Sequence, residues 1–235
     1  MKFDEQAVLI GAREGEAQQV SAVPLESQLV ALEDRYHELP GNAPAIERAR
    51  LELAIARVRL GLAQHRQVWD SARKVFDVFI QEQAWQEAAE ACDLMFQSGQ
   101  EQSLSALGQG VWLAVTFPVE PELTLALLQH IVDETPDDAD GAAVAAAVAI
   151  YVIELRQEEG RQKDSLLFFA NQLLGAVARR HSQVETQQQF DFWLQKLELD
   201  QEDKILVRLR NIVDVLVQED WWFDREALQQ QLPLN

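Results

Sequence analysis

Residues 141–156 have the sequence GAAVAAAVAIYVIELR, which is the strongest indication of the fold in this chain. Alanine, valine and isoleucine fill almost every position from Ala142 to Ile153, so a helix formed here would be apolar on all its faces. Such a helix must be enclosed by other elements. The apolar segment is also shorter than the roughly 20 residues that a membrane span requires. We therefore expect it to form the core helix of an all-helical domain.

Amphipathic segments connected by short links lie on both sides of this helix. Their apolar residues recur at intervals of three and four, as in Leu25, Leu29, Leu32 and Tyr36, which indicates one buried face per helix. Ten glycines and seven prolines are too few for the many turns of an all-β protein. The sequence predicts an all-α fold of about nine or ten helices, at about residues 24–39, 44–64, 68–79, 84–95, 101–115, 120–134, 141–156, 164–180, 184–197 and 201–218.

Three polar residues just before predicted helices are expected to act as N-caps, because a side-chain oxygen there can accept a hydrogen bond from a free backbone N–H group. They are Asn42, Asp140 and Asp164. Gly108 and Gly110 lie inside a predicted helix, where each glycine costs about 1 kcal/mol relative to alanine. We expect another helix to cross close to these two glycines.

The first 22 residues show no strong helical stripe, since Gly11, Gly15 and the polar run at 16–19 interrupt it. We expect residues 1–22 to form an N-terminal arm that is partly extended or disordered, with a short strand at 3–10 as one alternative. No composition typical of a linker interrupts the rest of the chain. Residues 23–235 are therefore expected to form a single all-helical domain.

Two neighbouring predicted helices have similar sequences. Residues 68–79 match residues 84–95 sixteen positions later, with tryptophan, alanine and aspartate at equivalent places (69/85, 72/88 and 77/93). Over residues 45–98 the chain resembles tetratricopeptide-like (TPR-like) helical-repeat proteins, although the full sequence signature of that family is absent. This resemblance implies an array of helical hairpins that serves as a protein-interaction module. A single hairpin and a plain helical bundle are the alternatives.

The net charge of −19 is concentrated in the middle third of the chain. Residues 75–155 contain fourteen acidic residues and no lysine or arginine, whereas the two flanks hold ten basic residues each. A surface of this charge repels nucleic-acid phosphates and anionic membranes, and it attracts a basic partner most strongly at low salt. Two interpretations remain open, because the acids either bind a partner or only confer solubility.

None of the motifs that mark a phosphate loop, a zinc protease, a redox dithiol or a nucleophile elbow occurs in the sequence. A di-iron bundle needs two Glu-x-x-His pairs and two further glutamates, and the single Asp34-x-x-His37 is the nearest match, which is not enough. The carboxylates of loop 133–141 do not match an EF-hand, because Pro136 and Ala147 fall on its first and last ligand positions. We therefore expect no catalytic residue, no metal and no cofactor.

Two further features concern packing. Cys92 lies within a predicted helix and near no group that would lower its pKa, so we expect a small core residue. The four histidines are expected near helix ends. The three consecutive aromatic residues Trp221-Trp222-Phe223 cannot all face the same way. Either two of them cover the core and one is partly exposed, or the tryptophans anchor a partner.

The preferred hypothesis is a non-enzymatic adaptor or assembly factor that binds a basic partner protein through an acidic helical surface. The alternatives are a nucleic-acid mimic that inhibits a DNA-binding protein, and an enzyme with an unrecognised helical active site. A single cysteine and an acidic start favour a cytoplasmic chain. We expect no direct binding of nucleic acid or membranes, and a homodimer is compatible with the sequence. The candidate partner-binding residues are Glu82, Glu87, Glu90, Glu101, Asp133, Glu134, Asp137, Asp138, Trp221 and Trp222.

Overall fold

Helices account for all the regular structure of residues 22–230, the part of the chain that the computed structural model describes. Ten of the eleven helices found there have seven or more residues, which confirms the predicted all-α fold of about ten helices. In chain order they are α1 (Ala22–Glu38), α2 (Ala45–Gly61), α3 (His65–Gln81), α4 (Trp85–Gln97), α5 (Ser103–Thr116), α6 (Pro121–Glu134), α7 (Gly141–Arg156), α8 (Arg161–Ser182), α9 (Gln187–Lys196), α10 (Glu202–Val217) and α11 (Arg225–Gln229).

Helix α7 begins and ends at the predicted residues, and eleven of its side chains are buried. The prediction of a core helix is therefore confirmed. A helix that is apolar on every side must be enclosed by other helices, and α7 is enclosed in this way. Within residues 22–230, none of the helices combines the length and the apolar character that crossing a bilayer would demand.

The other helix boundaries differ from the predictions by a few residues, apart from one omission. Helix α11 was not predicted, because five residues are too short to show a helical period. The predicted N-terminal arm lies outside the described residues, except for Ala22, which begins α1. The strand considered at residues 3–10 lies outside them as well.

The prediction of Asn42 as an N-cap is wrong. Pro44 holds the N-cap position of α2, and no side chain caps this helix. Asn42 instead lies within a turn that is closed by a hydrogen bond from the N–H of Ala43 to the carbonyl oxygen of Pro40, at 2.9 Å. Two prolines, which have fixed φ angles and no N–H groups, therefore set the start of α2.

Asp140 and Asp164 do not cap their helices either. Asp140 holds the N-cap position of α7, but its carboxylate contacts the side chains of His181 and Arg208 instead of the free N–H groups. Helix α8 begins three residues before Asp164, with Gly160 at its N-cap. Asp164 thus lies in the first turn of α8, where a negative charge is favourable to the helix dipole.

The first eight helices pack in chain order, each against the next. In addition α2 contacts α4, α4 contacts α6 and α6 contacts α8, so these four helices lie side by side along one face of the array. Helix α10 returns to the other side, where it packs against α5 and α7. Helices α5 and α7 therefore lie between the face formed by α2, α4, α6 and α8 and the helix α10.

The links before and after α3 share one geometry. Ala63 and Gln83 both adopt a left-handed conformation with φ 55°, twenty positions apart. In each link the second residue after the helix cap donates to a carbonyl five residues back, as from Gln64 to Arg59 and from Ala84 to Phe79. The sixteen-residue similarity does not follow this spacing. It pairs Trp69, the fifth residue of α3, with Trp85, the first residue of α4.

The predicted close crossing at Gly108 and Gly110 is confirmed. A Cβ atom at Gly108 would lie 2.7 Å from Cγ2 of Val217 on α10, and one at Gly110 would lie 2.7 Å from Cβ of Cys92 on α4. Both distances are shorter than non-bonded carbon atoms tolerate. Glycine at these two positions therefore lets α5 lie against α4 on one side and α10 on the other. Cys92 is fully buried in this contact, as predicted.

Candidate functional site

Ion pairs cross the face formed by α2, α4, α6 and α8. Arg50 Nε lies 2.7 Å from Glu87 Oε1, and Arg57 Nε lies 2.7 Å from Glu90 Oε1. The two arginines belong to α2 and lie about two turns apart. The two glutamates belong to α4 and lie about one turn apart. Each carboxylate is about one-fifth exposed, so these pairs are screened less than pairs fully in water.

A third contact extends this row to α6. His130 Nε2 lies 2.9 Å from Asp93 Oδ1, and the imidazole packs beside the ring of Phe96 with 4.6 Å between centroids. The side chain of Gln97 donates to the second oxygen of Asp93. We call the contacts Arg50–Glu87, Arg57–Glu90 and His130–Asp93 the polar ladder. It connects α2, α4 and α6 through side chains more than thirty residues apart in the sequence.

The polar ladder accounts for two of the ten candidate partner-binding residues, Glu87 and Glu90. Five others fall at one end of the array. Because each short link reverses the chain, the α4–α5 link and the α6–α7 link fall at the same end of the array. The carboxylates at this end, which we call the acidic end, belong to Glu101, Asp133, Glu134, Asp137 and Asp138. Glu82 lies in the α3–α4 link at the opposite end.

The carboxylates of the acidic end differ in their surroundings. Asp137 lies 3.6 Å from the guanidinium of Arg180, which also donates to the carbonyl oxygen of Val132 in the last turn of α6. The remaining members are exposed and have no ion-pair partner among residues 22–230, namely Glu101, Asp133, Glu134 and Asp138. Four of the five carboxylates at this end therefore have no ion pair among the described residues, whereas Arg180 and Arg208 pair with Asp137 and Asp140 of the α6–α7 link.

A second polar cluster joins the loop before α7 to α8, α9 and α10. Asp140 lies 3.2 Å from His181 Nε2 and 3.0 Å from an Arg208 nitrogen. The indole N–H of Trp193 donates to His181 Nδ1 at 3.3 Å. Because an indole N–H can only donate, Nδ1 is the acceptor of this contact, and Nε2 is the ring nitrogen that faces Asp140. The Ser182 hydroxyl also contacts Nδ1, but the indole N–H competes for this acceptor, so the cluster favours a structural joint over an activated nucleophile.

Trp222 is held by a buried glutamine that the sequence did not single out. Gln109 is fully buried on α5, where its amide donates to the carbonyl oxygen of Asp220 and accepts from the N–H of Trp222, at 3.1 and 3.0 Å. The Trp222 ring meets Phe76 edge-on, and Arg73 lies over its face at 4.8 Å. Polar and aromatic contacts together fix this segment against α3 and α5.

Trp221 has a comparable intramolecular environment. Its ring packs against Trp112 with 5.9 Å between centroids, and the Arg225 guanidinium lies 4.0 Å from its centroid. Arg225 also pairs with Asp214 of α10. Trp221, Trp222 and Phe223 are each half-buried. We expected two of these rings to be in the core and one to be partly exposed. Instead, all three rings are partly covered and partly exposed.

Two other groups have environments that restrict their chemistry. Complete burial raises the pKa of the Cys92 thiol well above its ordinary value, so the thiol stays protonated and inaccessible. Burial lowers the pKa of the Arg156 guanidinium, which donates to the carbonyl oxygens of Ala114 and Val115 at the C-terminal end of α5. Within residues 22–230, no group of three or more histidine, cysteine or acidic side chains is arranged to hold a metal ion.

A groove of about 530 Å³ lies between α1 and α2. Its floor is apolar, from Leu32, Leu39, Leu51 and Ala54, and its edges carry two arginines and two glutamates. Opposite charges in equal number do not select a ligand of either sign.

No family model, curated protein or solved structure matches this chain. We therefore infer its function from the contacts described above.

Proposed function

We propose that this chain is a non-enzymatic protein-binding scaffold that presents its acidic end to a basic segment of a partner protein. The observation that carries this proposal is the position of Asp133 and Glu134. Both lie in the last turn of α6, where the helix dipole is negative and the helix itself contributes no basic residue. Acids at that position oppose folding by roughly 0.3–1 kcal/mol each. Their arrangement is better suited to binding a cation than to stabilising the helix.

Repulsion within the acidic end supports the same proposal. Asp133, Glu134 and Asp138 lie within six residues, and two unit charges 4 Å apart in water interact by about 1 kcal/mol. A lysine- or arginine-rich partner would relieve this repulsion while forming its own ion pairs. Because exposed charges are screened beyond about 8 Å at physiological salt, we expect the affinity to fall as salt is added.

The helical array supports a binding role over the alternative of a nucleic-acid mimic. A mimic would need many unpaired carboxylates spaced along one surface, as phosphates are along a duplex. Glu87 and Glu90 are instead neutralised by arginines, and Glu82 lies at the other end of the array. The four unpaired carboxylates that remain lie at one end of the array, and their number suits a short basic peptide segment.

The proposal is tested by comparing two variants with the same change in net charge. One neutralises the acidic end (E101Q/D133N/E134Q/D138N), and the matched control neutralises four exposed acids elsewhere (E82Q/E154Q/E158Q/D200N). Binding of an oligolysine peptide is measured by calorimetry, and proteins captured from the native host are quantified at low and high salt.

We expect the acidic-end variant to lose at least tenfold in affinity for the peptide, while the control loses much less. The same captured proteins should be depleted with the acidic-end variant and at high salt. Equal losses for the two variants, or partners that are retained by both variants at high salt, would contradict the proposal.

A further inference from the structure

The groove between α1 and α2 lies at the edge of the helical array. Helix α1 packs mainly on α2, and no side chain of residues 24–38 is buried. The apolar side chains of the groove are only half-buried, namely Leu32, Leu39, Leu51 and Ala54. Apolar surface that remains exposed along a groove is typical of a docking site. A further segment of chain that covered these side chains would stabilise both helices.

The side chains that line this groove follow the same order on both helices. Starting at the α1–α2 link, each helix contributes a glutamate, then an arginine about one turn further, then an apolar residue about one turn further again. The groove therefore presents two negative charges, two positive charges and an apolar stretch in succession. These residues are Glu38, Arg35 and Leu32 on α1, and Glu47, Arg50 and Ala54 on α2.

Residues 2–10 of the chain carry the complementary order. Lys2 is followed by Asp4 and Glu5, and these by the apolar run Ala-Val-Leu-Ile at residues 7–10. With Lys2 at the α1–α2 link, this segment brings its positive charge to the glutamates of the groove, its acids to the arginines and its apolar run to the apolar stretch. The reverse direction would place the apolar run beside the glutamates.

The connection to α1 favours the same direction. Residues 11–21 join the segment to Ala22, which begins α1 at the end remote from the α1–α2 link. Leu32 lies ten residues along α1, about 15 Å from its start. Eleven residues can extend over about 36 Å, so the apolar run of the segment can reach Leu32. A tether of this length also gives an effective concentration on the order of millimolar, so weak contacts suffice to hold the segment.

We propose that residues 2–10 of this chain cover the groove between α1 and α2, with Lys2 at the α1–α2 link. The acids of the segment then meet two arginines that can bind them. Arg35 has no ion pair among residues 22–230, and Arg50 donates to Glu87 through Nε while its side chain stays 58% exposed. The α1–α2 link falls at the end of the array opposite the acidic end, so this proposal does not depend on the function proposed above.

A disulfide between the segment and the groove tests the proposal in the full chain. V8C/A54C should form a link within one chain on mild oxidation, because Val8 belongs to the apolar run and Ala54 to the apolar stretch of the groove. The matched control is V8C/S165C, since Ser165 is exposed on α8. The native Cys92 is fully buried and stays out of the reaction.

Gels without reductant and mass spectrometry separate links within one chain from links between two chains. Equal linking of the two variants, or no link in V8C/A54C, would overturn the proposal. A V8C/A54C link that forms only between chains would show that the segment of a second copy fills the groove, and it would overturn the proposal as well.

A charge exchange tests the order of the contacts along the groove. Added to V8C/A54C, E5K should lower the initial rate of linking by about two- to fivefold, because it places a positive charge beside Arg35. Adding R35E should restore the rate, since opposite charges then face each other again. The control E16K makes the same change of charge in the tether and should leave the rate unchanged. If R35E does not restore the rate that E5K lowers, the proposed alignment is wrong.

Discussion

At Gly110 a hydrogen atom stands where any other residue would place a carbon 2.7 Å from Cβ of Cys92. The Cys92 Cβ is attached directly to the backbone of α4 and cannot rotate away. The sequence predicted a close crossing, because glycine is unfavourable within a helix. It could not predict which helices cross, since that depends on tertiary packing.

We expect Gly110→Ala to lower the free energy of unfolding by about 1–3 kcal/mol, because the strain of overpacking exceeds the gain in helix propensity. Chemical denaturation measures this difference. Gly41→Ala is the control, since a Cβ there meets nothing within 4 Å, and its effect should stay within about 0.5 kcal/mol. Equal stability of the two variants would mean that α4 and α5 separate easily.

Gln109 lies between Gly108 and Gly110 on α5, and its buried amide binds backbone groups of Asp220 and Trp222. We expect Gln109→Leu to destabilise the protein by about 1–3 kcal/mol for each backbone group left without a partner. Tryptophan emission should shift to longer wavelength as Trp222 becomes more exposed. The control is Gln129→Leu on the exposed side of α6. An unchanged emission spectrum for Gln109→Leu would show that the ring contacts alone hold the segment.

At the scale of the helices, the polar ladder predicts a measurable coupling between α2 and α4. In a double-mutant cycle of Arg57→Gln and Glu90→Gln, we expect about 0.5–1 kcal/mol, decreasing with added salt because Arg57 is mostly exposed. The pair Arg66–Asp70 within α3 is the control, for which about 0.3–0.5 kcal/mol is typical. A coupling of zero between Arg57 and Glu90 would mean that the ladder does not contribute to stability.

The sequence predicted the existence of the helices much better than the contacts between them. The composition of α7 alone requires burial on every side, so both of its ends could be predicted. The N-cap role of Asp140 was predicted wrongly because its carboxylate contacts His181 and Arg208, which are distant in the sequence. For the same reason the acidic residues could be identified as a group, but their division between the ladder and the acidic end could not.

At the scale of the whole molecule, protection of backbone amides should follow the packing of the array. Helices α5 and α7 each lie between two neighbours in the chain and are also covered by α10, whereas α1 packs mainly on α2 and α9 mainly on α8. We expect amide hydrogen exchange to be slowest in α5 and α7 and fastest in α1 and α9, after correction for intrinsic rates. Equal protection of α1 and α7 would indicate that the array opens only as a unit.

The arginines that pair with carboxylates or donate to carbonyl oxygens in the middle third of the chain belong to both of its flanks. During translation Arg50 and Arg57 are made before Glu87 and Glu90, so the ladder can form early. Arg156 and Arg180, which satisfy the carbonyl oxygens at the ends of α5 and α6, are made afterwards. During synthesis these carbonyl oxygens therefore have no side-chain donor until Arg156 and Arg180 have been made. A chain that terminates before these two residues would lack both sets of hydrogen bonds.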